Sequence, residues 1–134
     1  MSQEKITLAV LGMDQHENGA VAVSRILREA QMQVSYMGRF QTPETVLENA
    51  LDEMPDVIGI SCHSWEYLTL VPKIIDALKS RDLDIPVIIG GSVITTEDAR
   101  KMAEKGVAAS FGSGAADEDI INTVRTLAHP TKQS

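Results

Sequence analysis

With 134 residues, 43% of them hydrophobic, the chain has enough material for one well-packed core and too little for two ordinary domains, so one domain over 1–134 is expected, with 130–134 a loose tail. Nineteen acidic against twelve basic residues give a net charge of -7 with no basic cluster, which speaks against nucleic acid and against an anionic membrane surface. No apolar run approaches the roughly twenty residues of a spanning helix, the start "MSQEKITLAV" lacks the pattern of a signal peptide, and the single cysteine, Cys62, excludes an internal disulfide and a cysteine-rich zinc site; a cytoplasmic protein is expected.

Apolar runs of strand length alternate with amphipathic ones. Ile6–Leu11 is the first, apolar almost throughout, as a strand covered on both faces is. Val23, Ile26, Leu27 and Ala30 then share a helical stripe. A second strand is expected over Val34–Met37, followed at Thr42-Pro43-Glu44 by a capping hydroxyl, a first-turn proline and an acid, and by the stripe Val46, Leu47, Ala50, Leu51, Met54. Val57–Ile60 reads as the third strand and Ile74, Ile75, Leu78 as the next helix face. Val87–Ile89 is the fourth strand; Thr95 with Asp98 resembles a capping box ahead of Ala99, Met102, Ala103, and Gly106 stands where a left-handed helix end belongs. Val107–Phe111 is the fifth strand, and Ile120, Ile121, Val124 and Leu127 mark the last helix.

Five βα units with short connections imply a doubly wound parallel sheet with helices on both faces, of flavodoxin-like strand order 2-1-3-4-5. Such sheets bind ligands beyond the carboxyl ends of their strands. The loops there are 12–19, 38–42, 61–67, 90–95 and 112–116, and they hold two of the three histidines, the one tryptophan, the one cysteine and seven of the nine glycines. The opposite edge carries plain charged turns such as "KSRDLDIP". In "GMDQHENGA", Asp14 can hold one ring nitrogen of His16 and leave the other for a metal, although an exposed loop histidine beside a turn-forming aspartate is the commoner meaning of such a pair alone. Gly90 and Gly91 let a backbone approach a ligand closely or simply close a tight turn. A phosphoacceptor site is excluded because Ser61, not aspartate, ends the third strand, and a nucleotide fingerprint is excluded because no G-x-G-x-x-G follows the first.

Together "DQHENG", "SCH" and "GG" resemble the signature D-x-H-x-x-G, S-x-L, G-G of the cobalamin-binding domain of adenosylcobalamin-dependent mutases. "GRFQTPETVLENAL", "DVIGIS", "LTLVPKIIDAL" and "FGSGA" are similar to the acyl-CoA mutase branch, of methylmalonyl-CoA and isobutyryl-CoA type, so the resemblance covers nearly the whole chain. It implies cobalamin bound with its own base off cobalt, His16 as the lower metal ligand and Asp14 holding it. Gly19, Ser61, Gly90 and Gly91 would surround the buried nucleotide tail, and Gln15, His63, Phe111 and Gly112 complete the residues assigned to the cofactor. No catalytic residue is assigned to this chain. The resemblance further implies a small subunit inactive without a large mutase subunit that brings a (β/α)₈ barrel. The alternative is a module that binds or senses a corrinoid or another tetrapyrrole without mutase activity.

The sequence departs from the pattern at His63, where the family has leucine, and at Trp65-Glu66-Tyr67, where it tends to have small residues. Folded inward, this loop would narrow the slot and favour a corrinoid with a shorter or absent nucleotide tail; because burying Glu66 beside Trp65 would strand a charge, the outward arrangement is the one expected, with Trp65 and Tyr67 as partner-facing anchors.

Overall fold

The computed structural model describes residues 3–11, 18–112 and 114–129. Five strands, β1 (Lys5–Leu11), β2 (Gln33–Gln41), β3 (Val57–Ser61), β4 (Val87–Gly90) and β5 (Ala109–Phe111), alternate with helices α1 (Asn18–Glu29), α2 (Pro43–Glu53), α3 (Tyr67–Ser80), α4 (Thr96–Glu104) and α5 (Asp117–Ala128). The strands form one sheet in the order β2-β1-β3-β4-β5, every neighbouring pair parallel. This is the flavodoxin-like topology expected from the sequence.

Alternation along the central strands divides the core in two. Ala9, Ile58, Ile60, Val87 and Ile89 pack with α2, α3 and α4 through Val46, Ala50, Val71, Ile74 and Leu78. Ile6, Leu8, Val57 and Ile88 pack with α1 and α5 through Leu27, Ile120 and Val124. Because the side-chain period is two, residues in register on neighbouring strands stand side by side on one face. One row on the α1/α5 face is therefore Leu8, Gly59, Ile88 and Ala109, and the next towards the carboxyl edge is Val10, Ser61, Gly90 and Phe111.

The helix boundaries follow the expected chemistry. Thr42 caps α2 by accepting from the backbone N–H of Thr45, whose hydroxyl accepts in return from the backbone N–H of Thr42. Thr95 caps α4 by accepting from Asp98 N–H, but this is only half of the expected capping box, since the Asp98 carboxylate accepts from the Tyr67 hydroxyl. Gly106, with φ of 112°, turns the chain out of α4 into the short approach to β5. On the amino edge, Lys5 N–H donates to Asp56 and Lys5 Nζ to the carbonyl of Glu53, fixing β1 beside the entry to β3. His129 Nε2 lies 2.9 Å from Glu4 and clasps the end of α5 to β1. Burial pushes the Glu4 carboxyl up, but its backbone hydrogen bond, that of His129 and the charges of His129 and Arg125 outweigh it and hold Glu4 below its ordinary value.

Two boundaries differ from the sequence reading. β2 runs on to Gln41 instead of ending at Met37, because an edge strand tolerates irregular pairing: its register against β1 shifts twice beyond Tyr36, where Gly38 and Phe40 take φ of 86° and 65°. The fifth strand begins at Ala109, not Val107; Val107 is buried, but its N–H bonds back to Met102 and not into the sheet.

Candidate functional site

The last residues of β3, β4 and β5 and the first turns of α1 and α5 enclose a cavity of about 320 Å³ at the carboxyl edge, on the α1/α5 face. Its existence follows from side-chain size. Gly59 and Gly90 put no side chain on that face of the two central strands, and Gly19 and Ala20 put almost none on the facing surface of α1. The glycines are not equivalent. A Cβ on Gly59 would lie 2.6 Å from Leu8 Cδ2, so Leu8 already leans into that gap. A Cβ on Gly90 would meet only Phe111, its carbonyl oxygen at 3.6 Å, so at this position the missing side chain leaves room.

Gly91 has a backbone role. Its φ is 155°, a Cβ there would be driven into the carbonyl of Cys62, and its N–H donates to the carbonyl of Phe111 at 3.0 Å. Cys62 N–H in turn donates to the carbonyl of Gly90 at 2.7 Å. The ends of β3, β4 and β5 are thereby joined at the mouth of the cavity, which only a glycine at 91 permits.

The lining is mostly aliphatic: Leu8, Val23, Ile88 and Ile120 supply the walls. Its polar side chains are Ser61, His63 and Ser92, and Ser61 Oγ lies 2.9 Å from His63 Nε2. That imidazole reaches towards α1, since a Cβ on Gly19 would be 4.0 Å from its Nε2 and Cε1. The N-terminus of α1, with no acid in its first turn, presents the positive end of a helix dipole to the same edge.

Seven of the residues named from the sequence, Gly19, Ser61, His63, Gly90, Gly91, Phe111 and Gly112, thus line one cavity. Asp14, Gln15 and His16 lie outside the described residues. Among the described residues no three metal-binding side chains cluster, and no helix is long and apolar enough to cross a membrane. Gly59, Ala20 and Ala115 line the cavity without having been named. A signal for Gly59 was available, for a glycine inside the strand "DVIGIS" marks close approach of another group.

The loop 61–67 divides where the sequence led to one outward movement. Trp65 is 61% exposed, as expected, but Tyr67 is 1% exposed and faces the opposite core. The reason is helical spacing: Tyr67 opens α3 and continues the stripe Val71, Ile74, Ile75, Leu78 by one turn. Its hydroxyl donates to Asp98 at 3.2 Å, and burial, together with the Asp98 carboxylate, pushes its ionisation up to about 12. Tyr67 is therefore no partner-facing anchor.

The fold and the cavity define a flavodoxin-like domain with an open slot under two helices at the carboxyl edge of its sheet. The chain belongs to the B12 binding domain family, whose model it matches over residues 4–121. It is 37% identical to the 2-hydroxyisobutanoyl-CoA mutase small subunit of Aquincola tertiaricarbonis, over 92% of this chain and 90% of that one. It is 33% identical to the pivalyl-CoA mutase small subunit of Xanthobacter autotrophicus, over 96% of this chain and 86% of that one. A solved cobalamin-binding protein from Desulfitobacterium hafniense DCB-2 superposes with a TM-score of 0.80 at 21% identity, a likeness of fold that covers 92% of this chain and 58% of that protein.

Proposed function

We propose that the chain is the cobalamin-carrying small subunit of an adenosylcobalamin-dependent acyl-CoA mutase, that it binds the cofactor with the nucleotide base off cobalt and inserted in the slot, and that His16 is the lower ligand. The observation that carries this reading is the glycine-cradled cavity at the carboxyl edge, lined by Ser61 and His63 of "SCH", by Gly90 and Gly91, and by Phe111, Gly112, Gly114 and Ala115 of "FGSGA", and bordered by the start of α1 at Asn18-Gly19, the last two residues of "DQHENG". The fit is one of shape: the space above Gly90 is what a flat group inserted edge-on requires, and the aliphatic walls suit an aromatic ring.

In this reading Asp14 accepts from one ring nitrogen of His16 and fixes the tautomer that leaves the other for cobalt. When bound, adenosylcobalamin supplies the radical chemistry that a carbon-skeleton rearrangement of an acyl-CoA requires. This chain holds the cofactor and fixes its depth; the acyl-CoA pocket belongs to a large, barrel-bearing subunit. Support comes from the two relatives that are themselves mutase small subunits and that this chain spans over most of their length.

The test is electron paramagnetic resonance of the cobalt(II) form with ¹⁵N-labelled protein. Hyperfine coupling to a protein nitrogen, lost in His16→Ala, is expected; unchanged spectra in the variant would overturn the ligand assignment. Replacing Asp14 by Ala is expected to weaken binding by about ten- to a hundredfold. Adding a matching large subunit should create mutase turnover that the isolated chain lacks.

A further inference from the structure

The slot lies under one end of α5 only. Ala115 and Ile120 line it, Val124 one turn further on is fully buried against the sheet, and the last turn of the helix meets a polar cluster at the opposite edge. There Arg125 donates from Nη2 to the carbonyl of Ala30, just past α1, at 2.9 Å, and its Nε lies 3.9 Å from the Glu4 carboxylate. His129 Nε2 lies 2.9 Å from the same carboxylate oxygen. Glu4 directly precedes β1, so one half-buried acid gathers the end of α5 onto the first strand, and Arg125 carries the fastening on to α1.

The other end of α5 is held far more lightly. Its N-cap, Ala116, makes no side-chain bond, and the N–H of Ala115 reaches the carbonyl of Gly112 only at 3.4 Å. A Cβ on Gly112 or Gly114 would meet nothing within 4 Å, and Gly114 takes a φ of 86° that glycine adopts without strain. A helix is stiff, so one fastened at a single end yields by turning about that end. The end free to rise is the one above the slot. For a rod of twelve residues, roughly 18 Å long, a turn of about 5° lifts the free end by about 1.5 Å, the size of an ordinary helix shift, and barely disturbs the bonds at the pivot.

We propose that Glu4 is a positioning residue for the slot: through Arg125 and His129 it pins the far end of α5, so that the slot opens and closes by rotation of that helix and an inserted ring is retained under Ile120. This rests on the reading that the cofactor's tail enters the slot. With the pin removed, α5 can lift along its whole length, and the inserted ring leaves sooner.

The test is the release of adenosylcobalamin and of tail-less cobinamide from the tethered full chain, measured by surface plasmon resonance in the parent, Glu4→Ala, Arg125→Ala and Glu4→Gln. Either alanine variant is expected to speed release of adenosylcobalamin about three- to tenfold, the range of one hydrogen bond, and to leave release of cobinamide unchanged. Glu4→Gln, which keeps an acceptor for Arg125 and His129, should fall between parent and Glu4→Ala. A general loosening of the fold would instead speed release of both corrinoids alike. That result, or unchanged rates in both alanine variants, would overturn the pin and leave tail insertion standing if the parent holds adenosylcobalamin longer than cobinamide. Equal release of the two corrinoids from the parent would overturn the insertion itself, and the pin with it.

Discussion

The two faces of the sheet are built differently from the same alternating strands. Against α2, α3 and α4 every inward position is filled: Ile58, Ile60, Val87 and Ile89 meet Val71, Ile74 and Leu78, and the buried polar group Thr7 is satisfied by donating to Asn49 at 2.6 Å. Against α1 and α5 the packing is solid only towards the amino edge, around Ile6, Val57, Leu27 and Val124; towards the carboxyl edge it opens into the slot, and the buried Ser24 Oγ on α1 has no partner among the described residues. Close packing on one side and incomplete packing on the other separate the source of stability from the proposed seat of binding. Insertion of a flat group on the α1/α5 face, as proposed, requires that face to be short of the contacts that the other supplies.

That separation is broken most directly from the filled face. Ile74, 1% exposed in the middle of α3, leaves a cavity when cut to alanine, and Ile74→Ala is expected to cost roughly 2–5 kcal/mol in urea unfolding. The folded fraction should bind adenosylcobalamin with parental affinity, because Ile74 is absent from the lining of the slot. A large loss of affinity in the folded protein would show that the two faces are coupled through the sheet.

The opposite substitution should behave in the opposite way. Gly90→Val puts a β-branched residue into a strand, where its Cβ meets only Phe111 at ordinary contact distance, so stability is expected to stay within about 1 kcal/mol of the parent. The same side chain fills the slot, and affinity for adenosylcobalamin should fall at least about tenfold, the equivalent of about 1.4 kcal/mol. Retained affinity, measured by absorbance titration, would mean that nothing is inserted above Gly90.

The filled face was largely legible in the sequence, because its determinants are local: the stripe on α2, the Thr42 and Thr95 caps and the turn at Gly106 are each specified within a few residues. The strand order followed from the alternation of units. Tyr67 was misplaced because its neighbours "SWE" dominate a reading of the loop, whereas its position is set by the stripe of α3 one and two turns on. The extension of β2 was not legible, since the positive φ of Phe40 depends on irregular pairing at a sheet edge and no residue preference of phenylalanine announces it. At the slot, the paired glycines and Ser61 were named from their motifs, but Gly59 was passed over because it reads as an ordinary member of an apolar run. The contact of Ser61 with His63 is local in sequence, but it depends on how the chain bends as it leaves β3, which spacing alone does not reveal.

Tyr67 sharpens the contrast at high pH. Its ionisation is raised from 10 to about 12, so the neutral form is the one the fold favours. Below pH 10 the phenol is neutral in both states and its contribution is complete; as pH rises from 10 through 12 the unfolded chain loses the proton first and the contribution disappears. Tyr67→Phe removes the hydrogen bond to Asp98 and is expected to cost about 0.5–1.5 kcal/mol at neutral pH, and to flatten the decline of stability across that alkaline window. Parallel pH profiles for parent and variant, followed by urea unfolding, would show that the Asp98 contact carries no linkage.

The smallest effect tests the incomplete face where it is not part of the slot. Ser24 is 2% exposed in the interior of α1, on the side that carries Ala20 and Leu27, and Ser24 is absent from the slot lining. A buried hydroxyl without a partner costs free energy that no contact returns, and serine is also a weaker helix former than alanine. Ser24→Ala is therefore expected to stabilise the protein by about 0.5–1 kcal/mol while leaving corrinoid affinity unchanged. The methyl retains the packing against the sheet, so no cavity offsets the gain. If the variant is instead less stable, the hydroxyl has a partner in the native protein, and the incomplete packing of this face is confined to the slot. If it is more stable but binds corrinoid less well, Ser24 serves the ligand, and the hydroxyl is tolerated because binding supplies its bond.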